Sequence, residues 1–246
     1  MSRENQSSEY TRYEKFYKLV KDWTVSDYFT PGVKAEVIID MLISEFVEDL
    51  IGSHYWGDMQ GEHQVTLLMK EFPIQTNEEN NRNAKVDYLV SVDWEKLVLV
   101  ELKTTDDSFD KNQLERTKAA VNTNVQDLID FYNRIMGLKG QNTLDHKKYQ
   151  YACDKFKFED NMSMMQSEDG ILKNLQLDYL YISLTDGKKL KENIPEEEKR
   201  LILEYYWKEG IADKKYKAFQ KKLENEQRLQ LWEEVSGILA ECAKKV

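Results

Sequence analysis

The segment Leu97-Val98-Leu99-Val100-Glu101-Leu102-Lys103 closes an apolar run with an acid and an amine two residues apart. Side chains alternate along a strand, so Glu101 and Lys103 share a face. The run before them is apolar at every position, which predicts a central strand covered on both sides. A carboxylate and an ammonium at the end of such a strand cost stability unless they are paired or hold a cation. Asp87 is a further acid inside another apolar segment, KVDYLVSV at 85–92. A hairpin through 93–96 would set Asp87 close to Glu101. Two close carboxylates repel each other and make a site for a hard divalent cation such as Mg2+ (or Mn2+).

A further acid is expected from the helix before these strands. Residues 33–50 carry Ile38, Ile39, Leu42, Ile43, Phe46, Val47 and Leu50 on one wide apolar face. At about 100° per residue, Glu36 falls between Ile43 and Val47, inside that face. Glu45, Glu48 and Asp49 fall on the more polar side. Glu36 is thus the acid expected to point inward, although a carboxylate near a helix N-terminus also serves the macrodipole.

Acid-x-lysine spacing alone is a weak signal. It recurs at Asp145–Lys147, Asp186–Lys188, Glu197–Lys199 and Asp213–Lys215. Those pairs fall in expected turns or helices. Only Glu101–Lys103 lies in a strand that follows another acid-bearing strand. The plainer reading of the trio, an edge-strand ion pair, requires an edge position that the apolar run argues against.

The elements that must position these groups read as follows. Residues 1–30 form an arm with a short helix at 10–21. Pro31-Gly32 punctuates the chain. The helix at 33–50 leads to a turn region at 52–61 and to strands at 65–74, 85–92 and 97–105. A long helix follows over 110–136, then a polar stretch at 137–177 and a fourth strand at 178–184. Pro195 suits a first helical position, which predicts a helix over 196–210. A further long helix is expected over 213–245. Three units result: an arm (1–30), a core (31–186) and a C-terminal helical extension (187–246). The class is α/β (α+β).

The paired segments VDYLVSV and LVLVELKTT resemble the core of the PD-(D/E)XK nuclease superfamily, with its restriction-endonuclease-like and RecB-like members. Asp87 matches the first acid, Glu101 the second and Lys103 the lysine. Val86 stands where that family often has proline. The helix-borne acid would fall on Glu36. Gln113-Leu114, ten residues after Lys103, resembles the Gln-Leu element of RecB-like members. The resemblance covers about residues 33–136 and 178–184. It implies an αβββαβ core whose mixed sheet is flanked by helices. It also implies metal-assisted phosphodiester hydrolysis, with DNA the expected substrate and RNA left open, and with Asp87, Glu101, the Leu102 carbonyl and Glu36 toward the metal. Lys103 would position or deprotonate water, and Gln113 would orient Lys103 or a phosphate. An ordinary polar helix position is the plainer reading of Gln113.

The whole chain sets limits on this expectation. Its 246 residues have a net charge of −10, unlike the basic footprint of most nucleic-acid binders. From Gly187 to Val246 there are 14 Lys/Arg against 12 Asp/Glu, so residues 1–186 carry −12. The charge favours an alternative of a different class, a non-catalytic binding or inhibitory protein on a nuclease-like scaffold. The long C-terminal helix, suited to a protein partner or a second copy, favours it too. No stretch is apolar enough to span a membrane, and MSRENQSSEY is no secretory leader, so a cytoplasmic location is expected. Cys153 and Cys242 are too far apart in sequence for a cysteine-rich cluster. His54 and His63, the Tyr205-Tyr206-Trp207 cluster and the lysine-rich 214–222 stretch read as packing or solvated surface before they read as ligands or base platforms.

Overall fold

The computed structural model describes residues 35–55, 63–74, 84–123, 176–207, 214–223 and 226–244, with residues 18, 127, 134, 137, 146, 147, 150 and 151 as isolated positions. The side chains of Ala35, Glu36, Ile38, Gln176 and Glu226 fall outside that description. So do the expected arm helix, apart from the helical Lys18, and nearly all of 137–175.

Two helices, α1 (Ala35–Ile43) and α2 (Val47–His54), replace the one expected over 33–50. The break has a local cause. The Ser44 hydroxyl donates to the Met41 carbonyl at 3.0 Å, and the Phe46 amide steps to the Ile43 carbonyl three residues back. The step seats Phe46 fully buried, edge-on to Trp232 at 5.0 Å.

Strands β1 (Val65–Ile74), β2 (Ala84–Val92) and β3 (Lys96–Lys103) form an antiparallel meander. The expected hairpin is present. It turns through Asp93 and Trp94, both at positive φ (53° and 57°), a conformation that suits the right-handed twist of the paired strands. β4 (Gln176–Ser183) and β5 (Arg200–Ile202) then add in parallel, giving the order β1-β2-β3-β4-β5. β3 is central, as its apolar sequence requires, and every residue from Leu97 to Lys103 is buried.

The pleat divides two cores. Leu97 and Leu99 join Leu89, Leu177, Tyr179 and Tyr181 under Leu114 and Ala120 of α3 (Lys111–Val121) and Leu190 of α4 (Lys188–Asn193). Val98, Val100 and Leu102 join Tyr88, Val90, Leu180 and Ile182 on the other face. That face is covered by α1, α2, α5 (Glu204–Trp207), α6 (Lys214–Lys222) and α7 (Glu226–Ala243). The class is α/β, a five-stranded mixed sheet between helices.

Three further expectations need correction. The long helix over 110–136 is interrupted: α3 ends at Val121, and the described positions Asp127 and Arg134 beyond it are helical again. At the break Asn122 Nδ2 and Thr123 Oγ1 donate to the carbonyls of Lys118 and Ala120, taking acceptors that a further helical turn would use. The helix expected after Pro195 is a short 3-10 turn at Glu197–Lys199, then β5, then α5. The helix over 213–245 is two helices, α6 and α7. The C-terminal segment thus supplies a strand of the sheet and Phe219, Trp232, Val235, Ile238 and Leu239 of its core. No helix among the described residues is long and apolar enough to cross a membrane.

Candidate active site at the end of the central strand

Glu101 and Lys103 lie on the face of β3 that turns toward α3. Both are buried, with 1% and 6% of their surface exposed. β2 and β3 stay paired from Val92↔Lys96 to Tyr88↔Val100, and their ladder stops there. Extending the register by one residue sets Asp87 opposite Glu101, on the same face. Where the backbone pairing ends, the Asp87 side chain takes over: its Oδ2 accepts the Leu102 amide at 2.6 Å. In such a ladder a residue sends its amide and its carbonyl to the same side. The Leu102 carbonyl therefore points toward the space that β2 has left.

Gln113 joins the two charged groups of β3 from above. Its Oε1 accepts from Lys103 Nζ at 2.9 Å, and its Nε2 donates to Glu101 Oε1 at 2.8 Å. Lys103 Nζ lies 3.7 Å from Glu101 Oε2. The position of Gln113 follows from α3 itself. Asp110 caps the helix through the Asn112 amide at 2.8 Å, and Leu114, Thr117 and Ala120 form its buried stripe. Gln113 falls within that stripe, between Thr117 and Ala120 in helix phase, and is half-buried.

The electrostatics follow from the burial. Desolvation, then the Asp87 charge, pushes the Glu101 carboxyl well above the usual carboxylate range. A hydrogen bond with the Asp87 carboxyl acts in the same direction, while Lys103 and Gln113 oppose it. This is the behaviour of two close carboxyls, one of which keeps its proton where the other is charged.

A hard cation fits this donor set. Mg2+ is commonly held by one or two carboxylates plus water and substrate oxygens. Asp87, Glu101 and the Leu102 carbonyl supply that much. Among the described residues no group of three His, Cys, Asp or Glu side chains converges on such a site.

Of the residues expected here, Asp87, Glu101, Leu102, Lys103 and Gln113 come together. Glu36 stands in the first turn of α1, a helix packed on the opposite face of the sheet, and its side chain is outside the described residues. The described acid of α1 that meets the sheet is Asp40, one turn on. It accepts a short hydrogen bond from the Tyr88 hydroxyl and pairs with Lys70 at 3.1 Å. Tyr88 and Asp87 are adjacent in β2 and point to opposite faces, so Asp40 belongs to the far side.

Tyr181 is a neighbour that the sequence reading missed. It lies opposite Glu101 in the parallel β3–β4 register, fully buried, with the Tyr179 ring edge-on at 6.1 Å. Burial and then the Glu101 charge hold its hydroxyl well above the usual range, and among the described residues that buried hydroxyl has no hydrogen-bond partner. The alternation in DYLYISL was the available signal, once the strand was known to run beside β3.

Most of the remaining candidates make structural contacts, while Tyr205 is exposed. His54 Nε2 meets the Glu198 carbonyl at 2.8 Å, and His63 Nδ1 meets Asp93 Oδ2 at 2.6 Å. Tyr206 is buried against Phe219, accepts from the Ser53 hydroxyl and offers no open ring face. Lys222 donates to the His63 carbonyl at 2.9 Å. No family model, no curated protein and no solved structure matches the chain.

Proposed function

We propose that this chain is a metal-dependent nuclease that hydrolyses DNA phosphodiester bonds, on a restriction-endonuclease-like core. The observation that carries the reading is the meeting of Asp87, Glu101, Lys103 and Gln113 at the point where β2 leaves β3. The order of helix, three-stranded meander, helix and parallel strand supports the fold reading.

Mg2+ or Mn2+, held by Asp87, Glu101 and the Leu102 carbonyl, would acidify water and offset phosphate charge. Asp87 positions the Leu102 peptide through its amide. Gln113 holds the Lys103 amine beside Glu101, where it can position water or neutralise charge built up during hydrolysis. The near-complete burial of Glu101 and Lys103 strengthens each of these interactions relative to water.

The binding-protein alternative draws on the net charge of −10 and on a C-terminal helix available for association. Trp232, Val235, Ile238, Leu239 and Cys242 of α7 are buried in the chain's own core, which leaves that reading with the charge alone.

The test is cleavage of labelled single- and double-stranded DNA with Mg2+ or Mn2+ by the wild type, Asp87→Ala and Lys103→Ala. Metal-dependent cleavage lost in both variants is the expected result. Absence of cleavage with either metal, together with no metal binding by calorimetry, would overturn it.

A further inference from the structure

We infer that Arg116, with Asn112 beside it, docks a backbone phosphate of the DNA strand next to the Asp87–Glu101–Lys103 site. This assignment rests on the nuclease reading and adds the surface that would hold the substrate.

The helix phase places the pair. Arg116 follows Gln113 by three residues, so the two stand on adjoining turns about 60° apart. Asn112 lies on the same flank. On the other side of Gln113 the helix turns inward through Leu114 and Thr117. Gln113 itself touches both Lys103 and Glu101. Its Arg116 flank is exposed, and helix phase sets it beside the side chain that touches the buried charges.

The charge pattern leaves Arg116 without an acid partner, and its position beside Gln113 distinguishes it from other such cations. Acids hold many of the other described cations: Lys118 by Glu115, Lys188 by Glu192, Lys189 by Asp107, and Lys191 and Arg200 by Asp186. Arg116 has no hydrogen bond or ion pair among the described residues. A phosphate strand approaching two carboxylates in a chain of net charge −10 meets repulsion, which a cation on the rim offsets locally. The guanidinium fork matches phosphate oxygens in pairs, and the Asn112 amide can donate to a third. Lys111 is an equally unpaired cation on the same helix. It lies about 160° round from Gln113, away from the site.

The experiment is steady-state cleavage of a labelled DNA oligonucleotide and its RNA counterpart with Mg2+, over a range of salt. It compares wild type, Arg116→Ala, Arg116→Lys and Lys111→Ala. Arg116→Ala is expected to raise KM for DNA about tenfold with kcat within about twofold. The slope of log kcat/KM against log salt should fall by about one. Arg116→Lys should recover part of the loss, and Lys111→Ala should stay within about twofold of wild type. An unaltered KM and salt slope in Arg116→Ala, with wild-type cleavage intact, would overturn the docking role alone. Equal losses in Arg116→Ala and Lys111→Ala would reduce it to a net-charge effect and overturn it too. An Arg116 effect confined to RNA would overturn the commitment to DNA. A wild type that cleaves neither strand removes the nuclease reading and this inference together.

Discussion

Asp87 reaches one residue past the end of its own ladder: its Oδ2 holds the Leu102 amide at 2.6 Å, where backbone pairing has stopped at Tyr88↔Val100. One carboxylate therefore has two duties, an acceptor for a strand amide and a charge beside Glu101. The duties separate by substitution. Asp87→Asn keeps a carbonyl oxygen for the amide and loses the charge. Asp87→Ala loses both and leaves the amide unsatisfied, at about 1–3 kcal/mol. For a chain of this size each kcal/mol is worth about 2–4 °C in Tm. The expected order of Tm is wild type close to Asp87→Asn, with Asp87→Ala several degrees lower. Cleavage should fall by on the order of a hundredfold or more in both, because several kcal/mol of metal-derived stabilisation is lost. Equal melting of the two variants would remove the amide-holding role.

Glu101 gives a pH prediction whose sign follows from its burial. Its folded carboxyl titrates well above the ordinary value of 4.5, for reasons of desolvation and then the Asp87 charge. Between the ordinary and the raised value the folded chain holds a proton that the unfolded chain has released. Stability without metal therefore falls as pH rises through that window. Glu101→Gln keeps the shape and the oxygen that accepts from Gln113, and it offers an N–H toward Asp87. Metal-free melting curves from pH 5 to 8 should show the wild type losing stability with pH and Glu101→Gln nearly flat and more stable at the upper end. Added Mg2+ should raise the wild-type Tm and leave the variant unmoved. Parallel pH curves for the two proteins would refute the assignment.

Much of this site was legible because strand and helix periods are simple. The run 97–103 identifies a central strand, its parity puts Glu101 and Lys103 on one face, and the short link at 93–96 brings Asp87 alongside. Gln113 stood out only through its resemblance to a Gln-Leu element, since helix phase alone left it an ordinary polar position. What escaped depends on single hydrogen bonds or on long-range register. The breaks at Ser44 and Asn122 come from side chains that take backbone carbonyls. Leu201-Ile202-Leu203 is apolar at every position, which a buried strand and a buried helix share, and Pro195 tipped the reading toward helix. Tyr181 becomes a neighbour of Glu101 only through a parallel pairing that 72 intervening residues conceal.

Gln113 is the shared partner of Lys103 and Glu101, so its removal should affect both. Gln113→Ala leaves a buried amine and a buried carboxyl each short of one hydrogen bond, at about 1–3 kcal/mol in stability. Positioning groups of this kind are worth about 10–100-fold in activity. The expected signature is a fall in kcat of that size with KM little altered. Gln113→Glu keeps the acceptor for Lys103 and loses the donor to Glu101, while adding a third acid. It should therefore lose more activity than Gln113→Ala as pH rises. Wild-type kinetics in Gln113→Ala would leave the amide as an ordinary polar helix residue.

The C-terminal helices offer a test of how far the folding unit extends. Trp232 of α7 is 4% exposed and packs edge-on against Phe46 at 5.0 Å and Phe219 at 4.7 Å, so it joins the α1–α2 break to α6. Arg228, one turn earlier, binds Asp49 at 2.6 Å and the Glu45 carbonyl at 3.0 Å, tying α7 to the same region. Truncating a buried tryptophan to alanine costs about 3–5 kcal/mol, a large share of the 5–15 kcal/mol that holds a typical domain together. Trp232→Ala should lower Tm by about 10 °C or more in a single transition, and a chain ending at residue 213 should not fold. A Trp232→Ala variant melting at the wild-type temperature, with the truncated chain still cooperative, would make the C-terminal helices an appendage. It would also return α7 to the role of a surface free for partners.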